Sequence, residues 1–301
     1  MSGSGPGDDR RAPGPGAGGY VEVRSPAGVW LARPGSTLPL TAGEADFLLT
    51  RKAVRLPGRE QGRGVVARFL LGGRPVVGKM LIHGGLFGPT LGRLYLGRQR
   101  AWSQAALADR LRTAGVATPR VVATGARRIA GPLFRLAVLT EEIREARNLL
   151  ELARSFPGPP VRRRIADLTA DTVRAMHDGG FLHADLNLAN LVVEGGTAAA
   201  AVHIVDLDRG RFVARVRPAD RVAGLARLLR SCEKWLASGT CPGARDRIRF
   251  LRRYARRDRR MVRRLHSGIA RARRGWWARR RLWGPPPEPT TGAGSGSGLS
   301  G

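Results

Sequence analysis

Three residues in the second half of the chain have the types and spacing that phosphoryl transfer requires. They are Asp185, Asn190 five positions later in His183-Ala184-Asp185-Leu186-Asn187-Leu188-Ala189-Asn190, and Asp206 in Val205-Asp206-Leu207-Asp208. Such a reaction needs an alcohol held in line, a carboxylate to take its proton, and metal ions bridging the phosphates. An Asp and an Asn on one loop supply the base and one metal ligand, and an Asp closing a following strand supplies the second ligand. A lone Asp or Asn in a loop is usually a turn former. Their joint occurrence between a helix and a short hairpin is what gives the set meaning.

The upstream half of the chain offers candidates for a nucleotide site. Gly58, Gly62 and Gly64 precede the strand Val65–Leu71, where a phosphate-covering turn belongs, although Gly-Arg-Gly by itself suits any tight turn. Lys79 lies in the strand Pro75–Ile82 and is one of only three lysines, with Lys52 and Lys234, among 53 basic residues. A lysine there offers a point charge to phosphate, whereas an arginine would impose a fork. In the protein-kinase-like fold, which the Asp185–Asn190–Asp206 pattern resembles, a Glu on the next helix holds this lysine, but no Glu occurs between Glu60 and Glu141. Gln104 aligns with that position and Asp109 is the other candidate, unless a carboxylate reaches Lys79 from elsewhere.

The elements that position these groups follow from the patterning. Residues 1–19 and 284–301 are rich in Gly, Pro and Ser and read as a disordered leader and tail. Strands are expected at Val21–Arg24, Val29–Arg33, Val65–Leu71, Pro75–Ile82, Arg120–Ala126 and Leu133–Thr140, with a helix from about Leu94 to Ala114. Pro159-Pro160 opens a helix with Val161, Ile165, Leu168, Thr172 and Met176 on one face, and Val222 to Leu236 forms another. Two short strands, Leu191–Glu194 and Val202–Leu207, separate them. The expected architecture is α+β: a nucleotide-binding sheet lobe with one main helix over residues 20–143, then a mostly helical catalytic lobe over 144–283.

The formal charge is +30, with an arginine excess to which a GC-rich genome would contribute. The balance favours an anionic partner such as nucleic acid, phospholipid or phosphorylated glycan. Two cysteines, Cys232 and Cys241, make no disulfide framework and no zinc spacing, which fits a reducing compartment. The first twenty residues lack the apolar core of a signal peptide, and no apolar run reaches the length of a membrane span. The expectation is a cytosolic protein, or one attached to a membrane from its cytosolic side.

Taken together, the catalytic loop and the later Asp resemble those of the protein-kinase-like fold. More finely, the chain is similar to the 3-deoxy-D-manno-octulosonic acid (Kdo) kinases of the lipopolysaccharide kinase family. The resemblance covers about residues 58–236. It is carried by Gly62-Arg63-Gly64, Gly84-Gly85-Leu86, Tyr95-Leu96-Gly97 with Arg100-Ala101-Trp102, Gly115-Val116-Ala117-Thr118-Pro119 and Leu139-Thr140-Glu141-Glu142-Ile143. In the second lobe His177, His183-Ala184-Asp185-Leu186-Asn187, Asp206-Leu207-Asp208-Arg209-Gly210 and Leu228-Leu229-Arg230-Ser231 carry it. Gln104 in place of Glu and Leu207 in place of Phe depart from the pattern.

The resemblance implies transfer of the ATP γ-phosphate, with Mg²⁺, to a hydroxyl of Kdo in the lipopolysaccharide inner core (Kdo-lipid A), at the cytoplasmic face of the inner membrane. The implied nucleotide site comprises Gly62, Gly64, Lys79, Gln104, Glu141 and Ile143, and the metal ligands are Asn190 and Asp206. Asp185 is the base. Asn187 stands where many kinases place a γ-phosphate-binding Lys, so it either holds phosphate or sugar or braces the loop. His183 joins the catalytic loop, with core packing favoured over proton transfer. Other acceptors (a heptose, an aminoglycoside-like sugar, a protein Ser or Thr) and a non-enzymatic role are the alternatives.

The segment Arg245–Arg281 holds 17 arginines against Asp246 and Asp258. Phe250, Tyr254, Met261, Leu265 and Ile269 recur on one face, and Trp276, Trp277 and Trp283 follow. One reading is a solvated face on helices that close the second lobe. The other is an attachment to an anionic membrane, with arginines on headgroups and tryptophans at the interface. Nucleic acid ranks third, because no recognised nucleic-acid-binding module is present. The sequence leaves the oligomeric state open.

Overall fold

A computed structural model describes residues 19–34, 45–50, 66–82, 92–155, 158–236 and 241–283, with the backbone alone over 277–283. Gly58, Gly62, Gly64 and the Gly84-Gly85-Leu86 stretch lie outside the described residues, as do most of the leader and all of the tail.

The first half builds an antiparallel sheet. Strands β1 (Val21–Ser25), β2 (Gly28–Ala32), β3 (Val66–Leu71), β4 (Arg74–Met80), β5 (Tyr95–Leu96), β6 (Val121–Ala130) and β7 (Leu133–Glu141) lie in the order β1-β2-β6-β7-β4-β3, with β5 on β7. The β3–β4 hairpin turns through Gly72 and Gly73, both left-handed at φ 54° and 77°. That pair of positive angles matches the right-handed twist of the flanking strands, and only glycine adopts both without strain. A four-residue helix, α1 (Phe47–Thr50), packs Leu48 and Leu49 with Trp30, Leu71 and Leu139 on one face of the sheet.

Helix α2 (Gln99–Thr113) covers the opposite face with Ala101, Trp102, Ala105, Ala108 and Leu111. It begins five residues later than the apolar pattern implies. Tyr95 and Leu96 pair instead with Phe134 and Leu133, and Gly97 at φ 72° separates that bridge from the helix. Pairing with a sheet strand outweighs helical propensity there.

The second half is helical around a small hairpin. Its helices are α3 (Leu149–Arg154), α4 (Pro159–Asp178), α5 (Pro218–Trp235), α6 (Ala244–Tyr254) and α7 (Arg259–Trp283). The short strands are β8 (Arg147–Asn148), β9 (Phe181–Leu182), β10 (Leu191–Glu194), β11 (Ala201–Ile204) and β12 (Arg211–Phe212). Asn148 caps α3 through a capping box with Glu151, and at six residues the helix is too short for an apolar period to show. Strand β11 stops at Ile204, short of the expected Leu207, because Asp206 takes a left-handed φ of 59°. Cys232 and Cys241 are both free, and burial pushes the Cys232 thiol up to about 12.

A polar knot ties α4, α5 and α6 together. The His177 ring meets the Tyr254 hydroxyl at 2.7 Å, Arg221 donates to the same hydroxyl at 3.0 Å, and Asp178 accepts from Arg174 and Arg221. Gly224 makes room for the ring, since a Cβ there would sit 3.1 Å from His177 Nε2. Burial pushes the His177 pKa down to about 3. The unfolded chain therefore binds a proton near pH 6.5 that the native state refuses until about pH 3. Stability held at neutral pH is lost as pH falls through that window, by about 1.4 kcal/mol per pH unit for such a group. His177→Gln is expected to flatten the decline in urea midpoint between pH 7 and pH 5; an unchanged slope would remove His177 as its source.

Candidate active site

Two loops leave the β10–β11 hairpin side by side. Leu191 pairs with Ile204, so the residue before β10 and the residue after β11 are neighbours, and Val205 donates its amide to the Asn190 carbonyl at 3.0 Å. The outer ends of the loops are held by the β9–β12 ribbon, in which Leu182 pairs with Arg211 and Phe181 with Phe212. Asn190 and Asp206 thus stand adjacent although they are sixteen positions apart in the chain. Gly210 closes the second loop by donating to Leu207 O at 2.9 Å, and Phe181 packs so closely against it that no side chain fits.

The 183–190 loop is braced from within. Asn187 Oδ1 accepts from the amides of Ala189 (2.8 Å) and Asn190 (3.1 Å), while its Nδ2 donates to Asp185 O. Asn190 Nδ2 donates to the same carbonyl at 2.8 Å, which leaves its side-chain oxygen for a ligand. His183 is buried, with Nε2 at 3.1 Å from Val205 O and Nδ1 accepting from the Asp185 amide. Burial holds its pKa below the ordinary histidine value. Ser231 Oγ accepts from Leu188 N, and Arg227 donates to His183 O. Asp185, next to the exposed Ala184, is the polar side chain of this loop left facing solvent.

Lys79 comes from β4 on the opposite lobe and places Nζ 2.7 Å from Asp206 Oδ1. The partner of this lysine is therefore neither Gln104 nor Asp109 on α2 but a carboxylate that reaches in from elsewhere, the remaining alternative. Gln104 is buried on α2, and Asp109 is engaged by Arg33 and the Tyr20 hydroxyl at the far end of that helix. Sequence order could not reveal the Asp206 contact, because it spans the two lobes. Helix α2 reaches the site another way. Arg100 in its first turn donates Nε and Nη2 to the two oxygens of Asp208, at 2.7 and 2.6 Å.

Lys79, Asn190, Asp206 and Asp185 are brought to one place, and Asn187 and His183 support the loop beneath them. Glu141 lies at the end of β7 with an exposed side chain 4.0 Å from Arg120, and Ile143, half-buried, follows it in the connection between the lobes. Gly62 and Gly64 fall outside the described residues. The basic helices do close the second lobe: Tyr254, Leu265 and Ile269 are buried in its core, and Trp276 packs there with Arg230 over its ring rather than facing outward.

A sheet lobe carrying a lysine opposite a helical lobe carrying an Asp-Asn loop and a left-handed Asp defines a protein-kinase-like fold. Residues 59–267 match the model of the Lipopolysaccharide kinase (Kdo/WaaP) family, and the chain belongs to that family. It is similar to the 3-deoxy-D-manno-octulosonic acid kinase of Vibrio cholerae, 29% identical over 157 residues, and to that of Photobacterium profundum, 32% identical over 157. Each alignment takes in 50% of this chain and 63% of the relative, so the chain spans just under two thirds of their length. A solved structure of WaaP in complex with acyl carrier protein superposes with a TM-score of 0.52 at 25% identity, covering 73% of this chain and 87% of that one.

Proposed function

We propose that the protein is an ATP-dependent phosphotransferase that phosphorylates a sugar hydroxyl, with Kdo of Kdo-lipid A as the acceptor. The observation that carries this reading is the convergence of Lys79, Asp185, Asn190 and Asp206 in a member of this family. Lys79 would release Asp206 and hold the α- and β-phosphates, with the backbone at Glu141–Ile143 beside the base and Gly62 and Gly64 covering the phosphates. Gln104 backs this site from α2. Asp185 accepts the proton of the attacking hydroxyl.

The donor set fits Mg²⁺, since Asp206 already attracts a cation at 2.7 Å and the neighbouring Asn190 keeps an amide oxygen available. Bound there, the ion would neutralise charge on the β- and γ-phosphates. Asn187 is committed to bracing the loop by three hydrogen bonds, which argues against its holding phosphate.

The arginine-rich face supports a place at an anionic membrane surface on the cytoplasmic side. Arg252, Arg256, Arg257, Arg259, Arg260, Arg263 and Arg264 are exposed on α6, α7 and the turn between them, while Arg249 and Arg253 are partnered by Asp167 and Asp171. Each free arginine near such a surface contributes about 1 kcal/mol. No helix of the described residues is long and apolar enough to cross a membrane. The WaaP complex favours a second partner reading, in which a carrier protein binds this chain as well.

Incubation with γ-labelled ATP and a panel of Kdo-lipid A, heptosylated core, free sugars and a Ser/Thr peptide tests the acceptor. Label is expected on Kdo-lipid A. Label on another member alone would replace the acceptor, and ATP binding without transfer to any would favour the non-enzymatic alternative.

A further inference from the structure

Helix α2 begins in an unusual way. Its first turn carries no acidic residue, its N-cap makes no side-chain hydrogen bond, and Arg100 places a cation at the positive end of the helix dipole. A cation is disfavoured there, where an anion would be stabilised. The anion comes instead from 108 residues downstream, as Asp208 receives the Arg100 guanidinium in a two-pronged contact. Tyr95 packs against the same guanidinium, its ring centroid 5.1 Å from Cζ. Both partners are largely shielded, with side-chain exposures of 29% and 19%. A bidentate pair in such a setting fixes orientation as well as distance.

Asp208 is two residues from Asp206, across the buried Leu207, in a loop whose two left-handed non-glycine residues, Asp206 and Arg209, bracket the contact. Backbone held in that region persists only where its surroundings enforce it. We propose that Arg100 is a positioning residue: through Asp208 it locks the loop so that Asp206 points at the metal-phosphate site, replacing the helix link that a Glu at position 104 would make through Lys79. The polarity of the link is reversed, with the cation on the helix and the carboxylate on the loop. Lys79 is thereby spared a structural duty and can exchange Asp206 for phosphate. This inference rests on the phosphotransferase reading.

Calorimetric titration of the full chain with ATP, with and without Mg²⁺, tests it without any acceptor. Arg100→Ala is expected to weaken Mg·ATP binding by about tenfold, the scale of one charge-assisted bond. Metal-free ATP, which depends on Lys79, should bind within about twofold of wild type. Arg100→Lys, which keeps the charge and loses the fork, should fall between them and guards against a failure of the alanine variant to fold. The Arg100→Ala/Asp208→Ala double variant should be no weaker than the poorer single one. Unchanged Mg·ATP affinity, or an equal loss with and without metal, overturns the inference. A wild-type chain that binds no Mg·ATP overturns the phosphotransferase reading itself.

Discussion

Asp185→Asn is expected to reduce turnover by about 10² to 10⁴, the range for losing a general base, while Mg·ATP affinity stays near that of wild type. The side chain of Asp185 is exposed at the loop's crest, and the loop's internal bonds run through its backbone: its amide donates to His183, and its carbonyl accepts from Asn187 and Asn190. The substitution therefore leaves the scaffold intact and removes only the proton acceptor. Steady-state transfer assays beside a thermal melt separate the two effects. Near wild-type turnover would take Asp185 out of the mechanism, and a lowered melting temperature would assign it to the scaffold instead.

Asp206→Ala is expected to abolish the metal dependence of nucleotide binding. Asp206 lies 2.7 Å from Lys79, so its removal also frees that lysine. Metal-free ATP should consequently bind at least as well as it does to wild type, while the gain on adding Mg²⁺ disappears. A simple loss of folding would weaken both together. Calorimetry with and without Mg²⁺ decides between them, and an undiminished Mg²⁺ effect would sink the assignment.

Much of this site was legible in the sequence because its signals are local. The Asp185–Asn190 spacing fixes one loop, and the Gly72-Gly73 turn fixes the register of the hairpin that presents Lys79. The Pro159-Pro160 start and the apolar faces of α4 and α5 are equally local patterns. What escaped depends on contacts between distant segments. The Lys79–Asp206 and Arg100–Asp208 pairs join residues 127 and 108 apart, and no periodicity reports on either. Arg100 did leave a trace, as a cation in a helix's first turn without an acidic neighbour. Short elements were missed for the opposite reason: α1, α3 and the two-residue strands β8, β9 and β12 contain too few residues for a period to show.

The central claim, that Lys79, Asn190 and Asp206 form a metal-nucleotide site beside Asp185, is tested most directly by a crystal structure with Mg²⁺ and a non-hydrolysable ATP analogue. The account predicts that Lys79 Nζ leaves Asp206 for the α- and β-phosphate oxygens, and that Asp206 and Asn190 ligate the ion. The γ-phosphate should then face the Asp185 carboxylate. A nucleotide bound elsewhere, or bound with the Lys79–Asp206 pair still closed, would contradict it.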